Sequence, residues 1–207
     1  MKDSDIRHLM NSQVLKEYHD DPDSLVVDEL GLCQGSTRVD IAVINGAIHG
    51  YEIKSDQDTL VRLPSQVELY SQVLDYATLV VGSPHISHAQ SIIPPWWGIL
   101  LVTQDKAGNS VLKNKRKGHR NPTPNPKAVV QLLWRIEAEQ ILEEFNLAKG
   151  LKGKPRKILW EAIVQTFPYN ILSSLVRQAL KKRDSWRKKK SSPSIRLPPE
   201  SKLIARF

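Results

Sequence analysis

One cysteine, Cys33, in 207 residues excludes an internal disulfide and any cysteine-built zinc cluster, and a reducing cytoplasm is the expected setting. Long apolar runs are missing too. None approaches the ~20 residues of a membrane span, so no membrane partner is expected. The opening MKDSDIRHLMNSQ is polar and acidic, unlike a secretory signal. Aromatics are few, at 6%. Bases are scarce in the first 60 residues, which hold 12 acidic and 5 basic side chains (net −7), leaving +15 for the rest of a chain whose total is +8. An acidic first third followed by a basic remainder suits a cation site beside a polyanion-binding surface. A basic tail that merely aids solubility would give the same totals.

What is present reads as a globular α/β chain: 40% hydrophobic and 25% charged residues. Ile6, Leu9, Met10, Val14 and Leu15 fall at helical spacing over residues 3–18. Residues 25–32, 37–44 and 48–54 read as strands, with Asn45-Gly46 as a hairpin signal. A helix is expected from Leu60 or Pro64 to Tyr76, a buried strand at 78–81, a helix at 86–93 and a strand at 97–103. The order gives α/β with a mixed sheet. Lys113 to Pro126, rich in base, Pro and Asn, reads as an exposed linker. Beyond it lie a long amphipathic helix at 128–148, with Leu132, Leu133, Ile136 and Ile141 as core, and shorter helices at 157–167 and 171–182. The expected organisation is a core at 1–110, a basic linker at 111–126, a helical basic region at 127–190 and an extended tail at 191–207.

The hairpin carries the chemistry. Asp40 lies on its first strand and Glu52 and Lys54 on its second. Phosphodiester hydrolysis needs a hard divalent cation with oxygen ligands, and a lysine beside the carboxylates can steer or help deprotonate the attacking water. Residues i and i+2 of a strand share a face about 7 Å apart, so Glu52 and Lys54 point together and Ile53 enters the opposite layer. The pattern is cheap: 10 Glu and 18 Lys make about one Glu-x-Lys expected by chance, and two occur. The one at Glu200 to Lys202 sits in the proline-rich tail. That at Glu52 sits in an apolar strand, where a charged pair needs a partner or a function. As ordinary surface chemistry, Lys54 would be a strand-end charge and Arg38 with Glu52 a cross-strand pair.

Register sharpens this. A two-residue turn at Asn45-Gly46 would put Asp40 and Glu52 on opposite faces, and the site would fail. A three-residue loop at 44–46, with Gly46 left-handed in a bulge, puts Asp40 opposite Gly50 and Arg38 opposite Glu52, all on one face. A four-residue turn at 33–36 then puts Glu29 opposite Asp40, so three carboxylates converge. Asp28 points the other way.

With these residues placed, VDIAVINGAIHGYEIKSD resembles the Asp…Glu-x-Lys strands of the PD-(D/E)XK nuclease superfamily. The elements from Asp3 to Val81 match its helix, three strands, helix, strand core (αβββαβ). ELGL, RVD, GYEIKSDQDTL and QVELY together are similar to a group of small stand-alone bacterial and phage members, over roughly residues 5–105. The resemblance implies a restriction-endonuclease-like fold with Mg²⁺ or Mn²⁺ held by Glu29, Asp40, Glu52 and the Ile53 carbonyl, and Lys54 placing the water. Gln66 and Tyr70 carry the Gln-x-x-x-Tyr spacing of RecB-type members and share a helix face. Gln66 would then orient water or phosphate and Tyr70 would pack or stack near DNA. Gln72 and Tyr76 repeat the spacing. RecB-type members also use an N-terminal histidine, for which His8 and His19 are the early candidates and neither is chosen. The first Pro-Asp of the superfamily is absent; Arg38-Val39-Asp40 stands there.

Phosphate contacts are expected from Arg38 and Arg62, from Lys115, Arg116 and Lys117, and from Lys182, Arg183 and Arg187 within KKRDSWRKKK, where Trp186 could stack on a base. Residues 141–167 faintly resemble small helical DNA-binding modules. The expected function is metal-dependent DNA hydrolysis, with DNA or RNA as partner and a homodimer left open. The alternatives are a non-catalytic nucleic-acid-binding module on the same fold and a structural partner in a larger phage or defence complex.

Overall fold

The computed structural model describes residues 1–183 and 186. A six-stranded mixed sheet runs in the order β1 (Leu25–Leu32), β2 (Thr37–Ile44), β3 (Ile48–Lys54), β4 (Tyr76–Gly82), β5 (Gly98–Gln104) and β6 (Ser110–Arg116). The β3–β4 and β4–β5 pairs are parallel and the others antiparallel. The parallel crossovers are helical, through α3 (Leu63–Val73) and α4 (Ile86–Ile92), as parallel neighbours require.

Each face of the sheet is apolar. On one side α1 (Asp3–Gln13) lays Ile6 and Met10 over Ile41, Val43, Tyr51, Ile53 and Val80. On the other side α3 joins the C-terminal helices α5 (Pro126–Val129), α6 (Arg135–Glu144), α7 (Arg156–Thr166) and α8 (Tyr169–Lys181) in one continuous core that includes Leu79, Val81, Leu142, Ile163 and Val176. Gly50 is required on that side: a Cβ there would come within 2.5 Å of Leu74 Cδ1.

Several expectations change. The N-terminal helix ends at Gln13, and α2 (Lys16–Asp20) follows it. The expected linker begins with β6, whose partner is β5. Its remainder is strapped to the body: the backbone N–H groups of His119, Asn121 and Asn125 donate to Trp96, Asp75 and Gln72 carbonyls, and buried Asn121 donates to Ser71 and Leu74 carbonyls at 2.7 and 2.9 Å. The long helix expected at 128–148 is interrupted, because Leu133 is extended and α6 restarts behind Trp134, whose N–H donates to Glu137 at 2.7 Å. Ile136 faces solvent, whereas Leu132, Leu133 and Ile141 are core. The tail at 191–207 and Arg187 lie outside the described residues. No described helix is long and apolar enough to cross a membrane.

Candidate functional site

The hairpin turn has three residues, Asn45, Gly46 and Ala47, and pairs Ile44 with Ile48 and Ile41 with Tyr51. Its place is one residue later than expected because the Asn45 side chain accepts the Ala47 N–H at 3.1 Å, closing the turn without a left-handed Gly46. An odd turn keeps Asp40 and Glu52 in one register, facing each other rather than Asp40 facing Gly50. The ladder stops at Ile41–Tyr51. In the parting between β2 and β3, Asp40 Oδ2 accepts the Ile53 N–H at 2.7 Å.

Opposite Asp40 stands Glu29, also unpaired, between the Asp28–Ile41 and Leu30–Val39 pairs. Its backbone is left-handed, φ 55°, an uncommon state for a side-chain-bearing residue. The inward alternation of Leu25 and Val27 therefore shifts to Leu30 and Leu32, and that of Ala42 and Ile44 shifts to Val39. Two facing phase changes keep the register and turn both acids out of the ladder. The Glu29 side chain is half exposed and reaches Arg7 at 3.0 Å. Arg7, on α1, also donates to Asp3 at 2.8 Å and to Asp40 Oδ1 at 3.1 Å. Arg7 thus ties Asp3, Glu29 and Asp40 together, and Glu52 stands outside this set. Among the described residues no three His, Cys, Asp or Glu side chains stand ready to hold a metal ion.

Glu52 and Lys54 lie on the α3 side of the sheet, both buried, with Lys54 Nζ 2.6 Å from Glu52 Oε1. Gln66 Nε2 donates to the same oxygen at 2.6 Å. The Tyr70 hydroxyl lies 2.5 Å from Glu52 Oε2 and from the Arg38 carbonyl; its one proton serves one acceptor at a time. Because α3 ends at Val73, Gln66 and Tyr70, not Gln72 and Tyr76, share the helix. Tyr70 is fully buried, stacked with Trp97 at 5.9 Å. The expected DNA contact by Tyr70 is therefore corrected: it positions Glu52.

Burial, and then the neighbouring Glu52 charge, push the Asp40 carboxyl up to about 7 against the opposing pull of the Ile53 N–H, Arg7 and Lys54. Gln66 Oε1 is buried with no hydrogen-bond partner, and turning the amide over would set oxygen against Glu52 carboxylate oxygen. These groups line a cleft of about 590 Å³ that Glu29, Arg38, Ile53, Arg62 and the turn residues Gly35 and Ser36 also border. Arg38 and Arg62 are exposed at it, and His8 is exposed elsewhere on α1.

The basic candidates fare differently. Lys115 and Lys117 are exposed at the β6 edge, and Lys182 is exposed after α8. Arg116 donates to the Trp97 and Pro94 carbonyls at 2.7 and 3.0 Å. Arg183 is buried, held by Glu137 and the Leu132 carbonyl at 2.6–2.7 Å. Both guanidiniums are committed within the protein, which corrects their expected contact with nucleic acid. Trp186 packs against Arg183 at 4.4 Å. Sequence reasoning does not single out Arg7: on a helix whose apolar face is Ile6 and Met10, it has the position of a solvent charge. Only its acidic neighbours Asp3 and Asp5 set it apart in the sequence.

The molecule is thus an α/β protein whose sheet parts between two strands to present the acids Asp40 and Glu52, the buried Lys54 and the exposed Arg38 and Arg62 in one cleft. Residues 5–194 match the family of Bacteriophage P4 protein cII, and the chain belongs to that family. Protein cII of Enterobacteria phage P4 is 23% identical over 163 residues, 78% of this chain and 60% of that protein, so the chain spans under two thirds of its length. Among solved structures, the SPO1766 protein of unknown function from Silicibacter pomeroyi aligns over 68% of this chain and 87% of its own (TM-score 0.38, 16% identical). Pyrococcus furiosus SfsA in complex with Ca²⁺ aligns over 55% and 62% (TM-score 0.33, 12% identical).

Proposed function

We propose that this protein is a metal-dependent deoxyribonuclease of the PD-(D/E)XK kind, hydrolysing DNA phosphodiester bonds with Mg²⁺ or Mn²⁺. The observation that carries the reading is the pairing of two mutually repelling carboxylates, Asp40 and Glu52, with the unpartnered Gln66 Oε1 beside them. Excess negative charge with a spare hard oxygen is a donor set that suits a small divalent cation. Asp40, Glu52 and the Ile53 carbonyl would hold it, with Glu29 outside the set while Arg7 engages it. When bound, the cation activates water and screens charge at phosphorus. Lys54 Nζ, 2.6 Å from Glu52 Oε1, would offer its remaining N–H bonds to the water or phosphate. Gln66 Oε1 would accept a hydrogen bond from the attacking water. Tyr70 fixes the Glu52 carboxylate, and Arg38 and Arg62 receive the flanking phosphates. Membership of a phage family fits a role in phage DNA biology in the cytoplasm of the host.

A second reading, a non-catalytic nucleic-acid-binding module, is favoured by the Arg7 clamp, which engages both Glu29 and Asp40. Cleavage of supercoiled and single-stranded DNA with Mg²⁺, Mn²⁺ or EDTA separates the two. Metal-dependent cutting that falls about 10²–10⁴-fold in Lys54→Ala, the range for a group assisting proton transfer, supports the nuclease. Salt-sensitive binding without cutting supports the module.

A further inference from the structure

Besides Arg38 and Arg62 at the cleft, the structure exposes cations that the sequence does not nominate. Lys115 on β6 and Lys117 just beyond it lie at the opposite edge of the sheet from β1. Lys149, Lys152, Lys154, Arg156 and Lys157, five cations in nine residues, are all exposed on the α6–α7 loop and the first turn of α7. None forms an ion pair among the described residues.

This loop is joined to the cleft by one side chain. Gln34, in the β1–β2 turn, accepts from Arg156 at 3.5 Å and donates to Gln131 at 3.4 Å. Its neighbours Gly35 and Ser36 line the acid cleft. Gln131 lines a second groove, of about 500 Å³, with Lys127, Lys157 and Trp160, and the Arg156 guanidinium lies 4.5 Å over the Trp160 ring. The turn therefore lines the cleft and is hydrogen-bonded to a residue that lines the groove. It is also strained: Cys33, Gln34 and Gly35 have φ of 48°, 59° and 88°, and non-glycine residues hold such values only where the surroundings impose them. Negative charge bounds the surface: Glu161 lines the groove, and Glu139 and Glu143 flank Lys152.

We propose that the α5–α7 groove is a binding surface for the phosphate backbone of the DNA that enters the cleft. The strand crosses the 33–36 turn, and Arg156, Lys157 and Lys127 contact its phosphates. This rests on the nuclease reading for the course of the strand. Positive side chains at fixed positions give sequence-independent, salt-sensitive binding, and a guanidinium stacked on an indole is held in place before the polyanion arrives.

The test measures binding of labelled duplex and single-stranded DNA across a salt series, in EDTA and in the Lys54→Ala background, so that cutting plays no part. Adding Lys127→Ala, Arg156→Ala and Lys157→Ala is expected to flatten the slope of log K against log salt by about 2–3, near 0.9 per lost duplex phosphate contact and 0.7 per single-strand contact. Replacing Lys113, Lys115 and Lys117 with Ala is expected to change it by less than about one. The double reversal Lys127→Glu and Lys157→Glu keeps the Arg156 stacking, and melting temperature reports its fold; it is expected to weaken binding further at an unchanged melting temperature. An unchanged slope in the groove variants, or an equal loss in the β6 variant, overturns the proposal. Wild-type protein that binds through this groove and cuts nothing removes the nuclease reading and leaves the surface standing.

Discussion

Glu137 meets Arg183 at 2.6 Å among the C-terminal helices, and Glu52 meets Lys54 at 2.6 Å on β3. Both pairs are buried. Around the first, demand is met. Glu137 also accepts the Trp134 N–H, Arg183 also donates to the Leu132 carbonyl, and Trp134 and Trp186 lie 3.9 and 4.4 Å from the guanidinium. Around the second it is not. Asp40 adds a repelling carboxylate, Gln66 Oε1 has no partner, and the pair opens on a cleft. Burying an ion pair is weak evidence for function, since desolvation cancels much of the attraction in either place. The remaining imbalance is what distinguishes a site from a staple.

The comparison breaks most directly at Glu137. Glu137→Ala leaves Arg183 buried and unpaired, and is expected to lower stability by about 3–5 kcal/mol in chemical denaturation, with cleavage per folded molecule unchanged. A loss below about 1 kcal/mol would mean that Arg183 finds water and that the staple is no staple. Tyr70→Phe removes the hydroxyl from Glu52 and is expected to cost about 1.5–3 kcal/mol, the range for a hydrogen bond to a charged group, by the same measurement. A neutral result would mean that Lys54 and Gln66 alone satisfy Glu52.

Asp40→Asn sharpens the comparison through pH. The folded Asp40 carboxyl lies at about 7, above its ordinary 3.8, so the folded state holds this proton more tightly. The stability this contributes is full below the ordinary value and is lost as pH rises through about 7. Asparagine carries no charge to lose. Melting without divalent cation should show the variant gaining on wild type at pH 8 relative to pH 4. The gain should be a few kcal/mol at most, on the order of 1.4 kcal/mol for each pH step between the ordinary and the folded value. An equal difference at both pH values would show that Arg7 and the Ile53 N–H already neutralise Asp40.

Most of the sheet was legible in the chain. β1, β2 and β3 were read at residues 25–32, 37–44 and 48–54, and Asn45-Gly46 marked the turn. The requirement for an odd turn was legible too, because only parity decides whether Asp40 and Glu52 share a side. The turn's exact place was not, since it depends on an asparagine side chain closing over Ala47. β6 reads as linker because SVLKNKR carries the lysines that protect an exposed edge strand. The break at Leu133 has no proline or glycine to announce it. Arg7, Arg116 and Arg183 show the commonest failure. A guanidinium's sequence neighbours say little about which carbonyls or carboxylates the fold brings to it, so equal-looking arginines divided into cleft clamp, carbonyl tie and buried staple.

The strained turn that joins cleft to groove begins with the chain's single thiol. Cys33 is half-buried, its sulfur 4.0 Å from the Leu69 carbonyl, and burial pushes the thiol up from its usual range. Thiolate is the form that alkylates, so the modification rate counts how often this turn relaxes and lets water in. With one sulfur to react, that count needs no mutagenesis, and occupancy of the surface by a polyanion should be readable as slower labelling at a single atom.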